Sequence, residues 1–478
     1  MLFTEPTFLF LFLPLLLALH FAPLSRSHGS YGNWLLLLAS LLFYAKGGRG
    51  FTWLVLASIA FNYGMAIAIA RRPHRPALLA GTLGLNLAVL GLFKYANFVA
   101  DNVNALLSTL QAEPLAVPRV LLPIGISFFT FHAISYVVDV WRGDATAQKS
   151  PLHAALYLLL FPQLVAGPII RYRDIADQLA RRVVTLDDFA RGVSRFVVGL
   201  AKKVLIANVV AGPADQIFAL PLGELDPARA WLGIVCYTLQ IYFDFSGYSD
   251  MAIGLGQMFG FRFPENFRWP YVAESVQGFW RRWHMSLSTW FRDYVYVPLG
   301  GNRLSPARTY VNLVVVFFLC GLWHGASWNF VIWGLFHGVF LVAERLGLAR
   351  GVTALPRLVR HAYLLLVVMT GWVFFRADTL PRALGFLGAM GGIGNAAPGV
   401  YTIGWYLTPD VQIALVAGVL GSAPIVPALS GWASGPIGSA RLAHTVSFVS
   451  TVSLTMLLVA SIMQIAARTY NPFIYFRF

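Results

Sequence analysis

The chain has 478 residues, of which 58% are hydrophobic and only 12% are Asp, Glu, Lys or Arg, about half the roughly 25% charged share of a soluble globular protein. So little charge does not cover a water-exposed surface, and apolar runs recur along almost the whole length; a soluble enzyme, a secreted scaffold and a disordered tail are excluded in favour of one membrane-embedded domain over residues 1–478. The excess of 35 basic over 20 acidic residues, a formal charge of +15, reads as topology, with Lys and Arg gathered in cytoplasmic loops beside anionic lipid, and implies no nucleic-acid partner.

Allowing about 20 residues to cross a roughly 30 Å hydrocarbon core, candidate spans fall near 7–22, 31–45, 51–70, 77–99, 119–141, 151–170, 192–212, 229–259, 309–323, 327–345, 361–376, 411–427 and 444–466. The first lacks the basic n-region and small-residue cleavage site of a signal peptide and is read as a retained span. Others are short or interrupted, as at Phe161-Pro162 and Gly167-Pro168, a pattern of re-entrant segments, so roughly 10 to 13 are expected to span. The basic groups at Arg71, Arg72 and Arg75, from Arg171 to Arg195 with Lys202 and Lys203, and from Arg345 to Arg360 are candidate cytoplasmic faces. No internal repeat is visible, which weighs against an inverted-repeat carrier. Cys236 and Cys320 both lie inside apolar runs and support neither a disulfide framework nor a thiolate metal site.

Residues 261–308 differ from the rest, being basic, rich in Trp and divided by Pro264, Pro270 and Pro298. Helical spacing from Val272 to Phe291 puts Trp280, His284, Leu287 and Phe291 on one face and Arg281, Ser288 and Arg292 on another, the pattern of an amphipathic helix at a membrane interface or along a cavity. The apolar stretch Val311–Ala343, within the region 309–345, would be roughly 50 Å long as one helix, more than the hydrocarbon core holds, so it is expected to break at Gly321 and Gly325. Irregular backbone at that depth is tolerated only beside protein or a water-filled cavity. His324 lies at the break, in Cys-Gly-Leu-Trp-His-Gly-Ala-Ser-Trp-Asn, residues 320–329. A neutral imidazole there can take up a proton, although a core histidine bridging backbone carbonyls fits the same pattern.

His284 is equally compatible with packing on an interfacial helix, His337 has only helical spacing to recommend it, and His20, His28, His74, His132, His153, His361 and His444 form no constellation. In Gln240-Ile-Tyr-Phe-Asp-Phe-Ser-Gly-Tyr-Ser-Asp250 two carboxylates, Asp244 and Asp250, sit in an apolar setting. Carboxylates at membrane depth are costly and imply partners, either Arg, Ser or Tyr holding helices together or a functional histidine or cation. No metal-ligand spacing, phosphate loop or Ser-His-Asp order is present.

Taken together, Asp244-Phe-Ser-Gly-Tyr-Ser-Asp250, Asn266-Phe-Arg-Trp-Pro-Tyr271, Phe279-Trp-Arg-Arg-Trp-His284-Met-Ser-Leu-Ser-Thr-Trp290, Leu322-Trp-His324-Gly-Ala and Asn471-Pro-Phe-Ile-Tyr-Phe476 resemble the membrane-bound O-acyltransferases. Within that family they resemble the bacterial branch that acetylates exported polysaccharides such as alginate. The resemblance covers almost the full chain, and the D-alanine-transferring relatives of teichoic-acid modification share the same core. It implies an all-α polytopic fold, with spans, re-entrant and interfacial helices enclosing a central tunnel in the bacterial inner membrane. It also implies that the histidine of the Trp-His-Gly motif, His324, is essential and that His284 occupies a second site position.

On that basis His324 is expected to take a proton from an acceptor hydroxyl as it attacks a thioester such as acetyl-CoA, with no tightly bound cofactor or metal. His284 is expected to position a substrate. Trp280, Trp283, Trp323, Asp244, Ser286 and Asn329 are expected to line the tunnel. The implied partners are membrane lipid, the acyl donor, and a periplasmic acetyltransferase or polysaccharide-binding protein. Competing readings are a D-alanyl transferase, a transporter of polysaccharide or lipid-linked sugar using residues 261–308 as an anion vestibule, and a subunit anchoring a secretion complex.

Overall fold

The computed structural model describes residues 1–22, 30–393, 402–428, 440–467, 470–472 and 474. Helices dominate, with no strand among the described residues. Among the described residues seven helices are long and apolar enough to cross a membrane: Thr52–Arg71, Pro76–Thr109, Leu186–Ala219, Pro306–His324, Trp328–Thr353, Arg357–Arg376 and His444–Ala467; Phe8–Phe21 and Pro409–Gly421 are shorter apolar helices. Pro227–Met258 is a further 32-residue helix. It carries Gln240, Asp244, Ser246, Ser249 and Asp250, and this polar content keeps it outside the apolar set.

The chain forms two compact units, residues 1–193 with 252–264, and residues 194–251 with 265–478. In the first, Ile126–Arg142 is buried over nearly its whole length. Here the expected span at 119–141 is corrected: residues 119–125 are not helical, because Pro123 lacks an N–H donor and Gly125 turns the chain at φ 73°, so the helix starts at Ile126. Asn97 holds the incoming segment in place through both the N–H and the carbonyl of Val120. The stretch at 151–170 is likewise not one span. It divides into Pro151–Leu159 and Phe161–Leu164 followed by irregular chain, as its Pro and Gly residues require, and the Ser40 hydroxyl accepts the Phe161 N–H freed at the break.

In the second unit the apolar stretch 311–343 forms an antiparallel helix pair, Pro306–His324 and Trp328–Ala343, joined by Gly325 to Ser327. The break falls at Gly325, the second of the two glycines expected there and directly after His324, while Gly321 is still helical. Gly321 serves the crossing instead: a Cβ there would collide with the Phe330 carbonyl and lie 3.3 Å from the Gly334 Cα, so the backbones meet where neither residue has a side chain. This close approach fixes where His324, the last residue of its helix, emerges.

Candidate active site

The segment 272–291 is not the continuous amphipathic helix its spacing suggests. It consists of Val276–Trp280 and Met285–Phe291, separated by a turn in which His284 adopts φ 43° and ψ 53°. The physical cause is pairing with the preceding loop: Arg268 N–H donates to the Arg282 carbonyl at 3.0 Å, and Met285 N–H donates to the Asn266 carbonyl at 2.9 Å. These bonds replace the helical ladder and hold His284 in the left-handed region, which His tolerates better than most residues. The first short helix is anchored at its start by the Ser275 hydroxyl, which accepts from Gly278 N–H, and by the buried Glu344 carboxylate, which accepts from Val276 N–H at 2.7 Å and Gln277 N–H at 2.9 Å.

Breaking the helix also reassigns its faces. Arg281 and Ser288, expected on the side away from Trp280, His284, Leu287 and Phe291, line the same cavity as those four residues. That cavity has a volume of about 200 Å³. Phe317, Cys320 and His324 from Pro306–His324 and Leu341 from the partner helix complete an apolar wall, and the exposed Arg281 and Arg345 give it a charged rim. A second, narrower cavity is lined by Ile241, Phe245, Trp283, Trp333, Trp372, Phe375, Ile474 and again His324. His324, 6% exposed, is thus common to both linings. Its ring centroid is 4.9 Å from those of Trp323 and Trp333 and 5.2 Å from Phe375, a cage of edge-to-face contacts that fixes the imidazole plane.

His284 is buried at 1% exposure, with Nδ1 3.0 Å from Asn266 Oδ1. Its ring meets Phe245 at 4.6 Å and Trp323 at 6.0 Å, so Trp323 touches both histidines. Of the other residues expected to line a tunnel, Trp280 is in the wall of the larger cavity and Trp283 in that of the narrower one. Trp323 packs between the histidines, and Ser286 hydrogen-bonds Asn266 at 2.9 Å; neither is among the residues lining the two cavities. Asn329 donates to the Ala377 carbonyl and ties the helix start to the end of Arg357–Arg376. His337, read as structural, is fully buried and stacks edge-on against Trp280 and Trp333.

The two carboxylates have separate tasks. Asp250 bridges Arg195 at 2.9 Å and Lys202 at 2.6 Å. Asp244 pairs with Lys203 at 2.7 Å, and both side chains are 2% exposed. The pair grips the end of the chain: Lys203 Nζ donates to the Pro472 carbonyl, Ile474 N–H donates to Asp244 Oδ2 at 3.0 Å, and Asn208 Nδ2 donates to Asn471 Oδ1 at 3.0 Å. Asp244 is therefore absent from both cavity walls but holds Ile474 in one of them. Phe473, Tyr475 and Phe476 of the terminal motif, and His28, lie outside the described residues. Sequence reasoning assigned no role to Asn266, Trp333, Trp372, Phe375 or Ile474. For Asn266 the available signal was an amide inside a Pro- and Trp-rich motif; the others come from elements distant in sequence that only the fold assembles.

A histidine at a helix break, caged by aromatic rings and shared by the walls of two cavities in a helical membrane protein, is a candidate active site. The MBOAT, membrane-bound O-acyltransferase, family model matches residues 125–375, and with full-length relatives the chain belongs to this family and is an O-acyltransferase. The chain is 42% identical to the probable alginate O-acetylase AlgI of Azotobacter vinelandii and 41% identical to that of Pseudomonas aeruginosa, with 100% of each chain covered. It is 36% identical to the peptidoglycan O-acetyltransferase of Helicobacter pylori over 83% of this chain and 81% of that protein.

Proposed function

We propose that this protein transfers acetyl groups from a cytoplasmic thioester, acetyl-CoA, across the bacterial inner membrane to hydroxyls of an exported polysaccharide, directly or through a serine of a periplasmic partner. The observation that carries this reading is His324 in the walls of two cavities, one of them rimmed by Arg281 and Arg345. A phosphate-bearing donor suits the arginine rim, and an acetyl-sized group suits the apolar interior. His324 takes the proton of the acceptor hydroxyl as its oxygen attacks the thioester carbon; the C–O bond forms, the C–S bond breaks, and the proton passes to the departing thiolate. The indole N–H groups of Trp280 and Trp333, each buried with no acceptor among the described residues, are the candidate donors to the oxyanion.

The full-length alginate O-acetylase relatives and the peptidoglycan O-acetyltransferase support an acetyl group and a cell-surface glycan. The teichoic acid D-alanyltransferase of Bacillus subtilis is 30% identical over only 46% of this chain, which favours acetyl over D-alanyl. The test is the acetyl content of exported polysaccharide from the source bacterium with the gene deleted and then restored, with acetyl-labelled CoA supplied to inverted membrane vesicles. Label incorporated only when the protein is present is the expected result. An unchanged acetyl content after deletion, with export of the polymer lost, would favour a transporter.

A further inference from the structure

We propose that Asn266 is a positioning residue that holds His284 as the neutral tautomer protonated at Nδ1, so that Nε2 presents a lone pair to a hydroxyl of the substrate. The purpose of this device rests on the acyl-transfer reading above, but the tautomer follows from the hydrogen-bond network alone. Asn266 is 1% exposed. Its Oδ1 accepts from Ser286 N–H at 3.3 Å and from the Ser286 hydroxyl at 2.9 Å, while its Nδ2 donates to Ser249 Oγ at 2.9 Å. A backbone N–H can only donate, so the amide atom facing Ser286 is the oxygen, whichever way the hydroxyls rotate. That same oxygen lies 3.0 Å from His284 Nδ1, and an acceptor facing a ring nitrogen requires that nitrogen to carry the proton.

The consequence falls on the opposite edge of the ring. With Nδ1 committed, Nε2 of the neutral imidazole is an acceptor, and it is buried with no partner among the described residues. His284 shares the larger cavity with His324, and the left-handed backbone at His284 is held by the Asn266 carbonyl through Met285 N–H. Asn266 thus sets both the position and the proton of His284, much as outer residues fix the tautomer of metal-bound histidines. In the acylation step His284 Nε2 accepts a hydrogen bond from a second, non-reacting hydroxyl of the substrate and so aligns it, while His324 takes up the proton of the attacking hydroxyl.

Nitrogen NMR of the full-length protein in bilayers, with ring-labelled histidine and the His284 signal assigned by its loss in His284→Gln, tests the tautomer without any assay of activity. Protonated Nδ1 and unprotonated Nε2 are expected; a neutral ring protonated at Nε2, or an imidazolium at neutral pH, overturns the proposal. Asn266→Ala is expected to erase the preference and lower kcat about 10–100-fold with KM little changed, by analogy with the range seen when the outer partner of a metal-bound histidine is removed. Asn266→Asp keeps an acceptor oxygen and is expected to restore the tautomer and most of kcat. A folded Asn266→Ala protein with the wild-type tautomer and turnover overturns the proposal. The expected tautomers in a protein shown to transfer no acyl group would uphold the role of Asn266 in setting the ring while overturning the functional reading.

Discussion

Replacing Lys203 with Met tests how the buried ion pair supports the site. Lys203 and Asp244 are each 2% exposed and 2.7 Å apart, and removing one partner of such a pair leaves a buried charge at a cost of about 3–5 kcal/mol. Loss of the bond to the Pro472 carbonyl adds about 1 kcal/mol. The sum is a large share of the roughly 5–15 kcal/mol that stabilises a typical folded protein, so the single variant is expected to unfold at a clearly lower temperature. The double substitution Lys203→Met with Asp244→Leu removes both charges, and such replacements are often neutral or stabilising, so it is expected to recover most of the loss. Activity should not recover with it, because Ile474 N–H has lost its acceptor and the wall it supplies beside His324 is no longer held. Thermal unfolding of detergent-solubilised protein, followed by tryptophan fluorescence beside an acyl-transfer assay, measures both. A single variant as stable as wild type, or a double variant no more stable than the single one, would refute the reasoning.

Gly321→Val is expected to force apart the helix pair at Gly334 and Phe330, lowering stability by about 1–3 kcal/mol as overpacking does, whereas Gly84→Ala, whose Cβ meets nothing within 4 Å, should be neutral or stabilising; comparing their unfolding midpoints checks this. Cys236→Ser with Cys320→Ser should remain active in the acyl-transfer assay even though Cys320 lines the larger cavity, because direct attack needs no acyl-cysteine; loss of activity in a folded protein would indicate a two-step route. In that cysteine-free background, single cysteines at the exposed Arg72 and Arg181 should react with a membrane-impermeant thiol reagent only after spheroplasts are lysed, since Lys and Arg are retained on the cytoplasmic side. Labelling of intact spheroplasts at both positions would place these loops outside. Arg182 is unsuitable for the same probe because it donates to the Phe259 carbonyl and lies over the Phe261 ring.

The break near His324 was legible because an apolar stretch of 33 residues is too long for the bilayer as one helix, a constraint of length that needs no neighbours. The two histidine motifs were legible for a related reason, as polar groups in apolar or Trp-rich surroundings that demand an explanation. The turn at His284 was not, since periodicity reports a helix wherever the spacing permits, while the bonds from residues 266 and 268 that interrupt it are tertiary. Asp244 was recognised as needing a partner, but that partner is Lys203, which the sequence had placed in a cytoplasmic basic group. Charge counting cannot tell a cation in a loop from one folded inward to meet a carboxylate. The second cavity joins side chains from residues 241 to 474, a separation beyond any local pattern.

The most direct test is His324→Ala, measured for acyl transfer and for folded, membrane-inserted yield in the same preparation. The imidazole contributes its ring to an aromatic cage that retains Trp323, Trp333 and Phe375, so the variant is expected to insert and fold. Loss of the proton acceptor is expected to lower turnover by about 10²–10⁴-fold, the usual contribution of a positioned acid or base. Turnover at the wild-type rate in a well-folded His324→Ala protein would contradict the assignment of this histidine as the catalytic base.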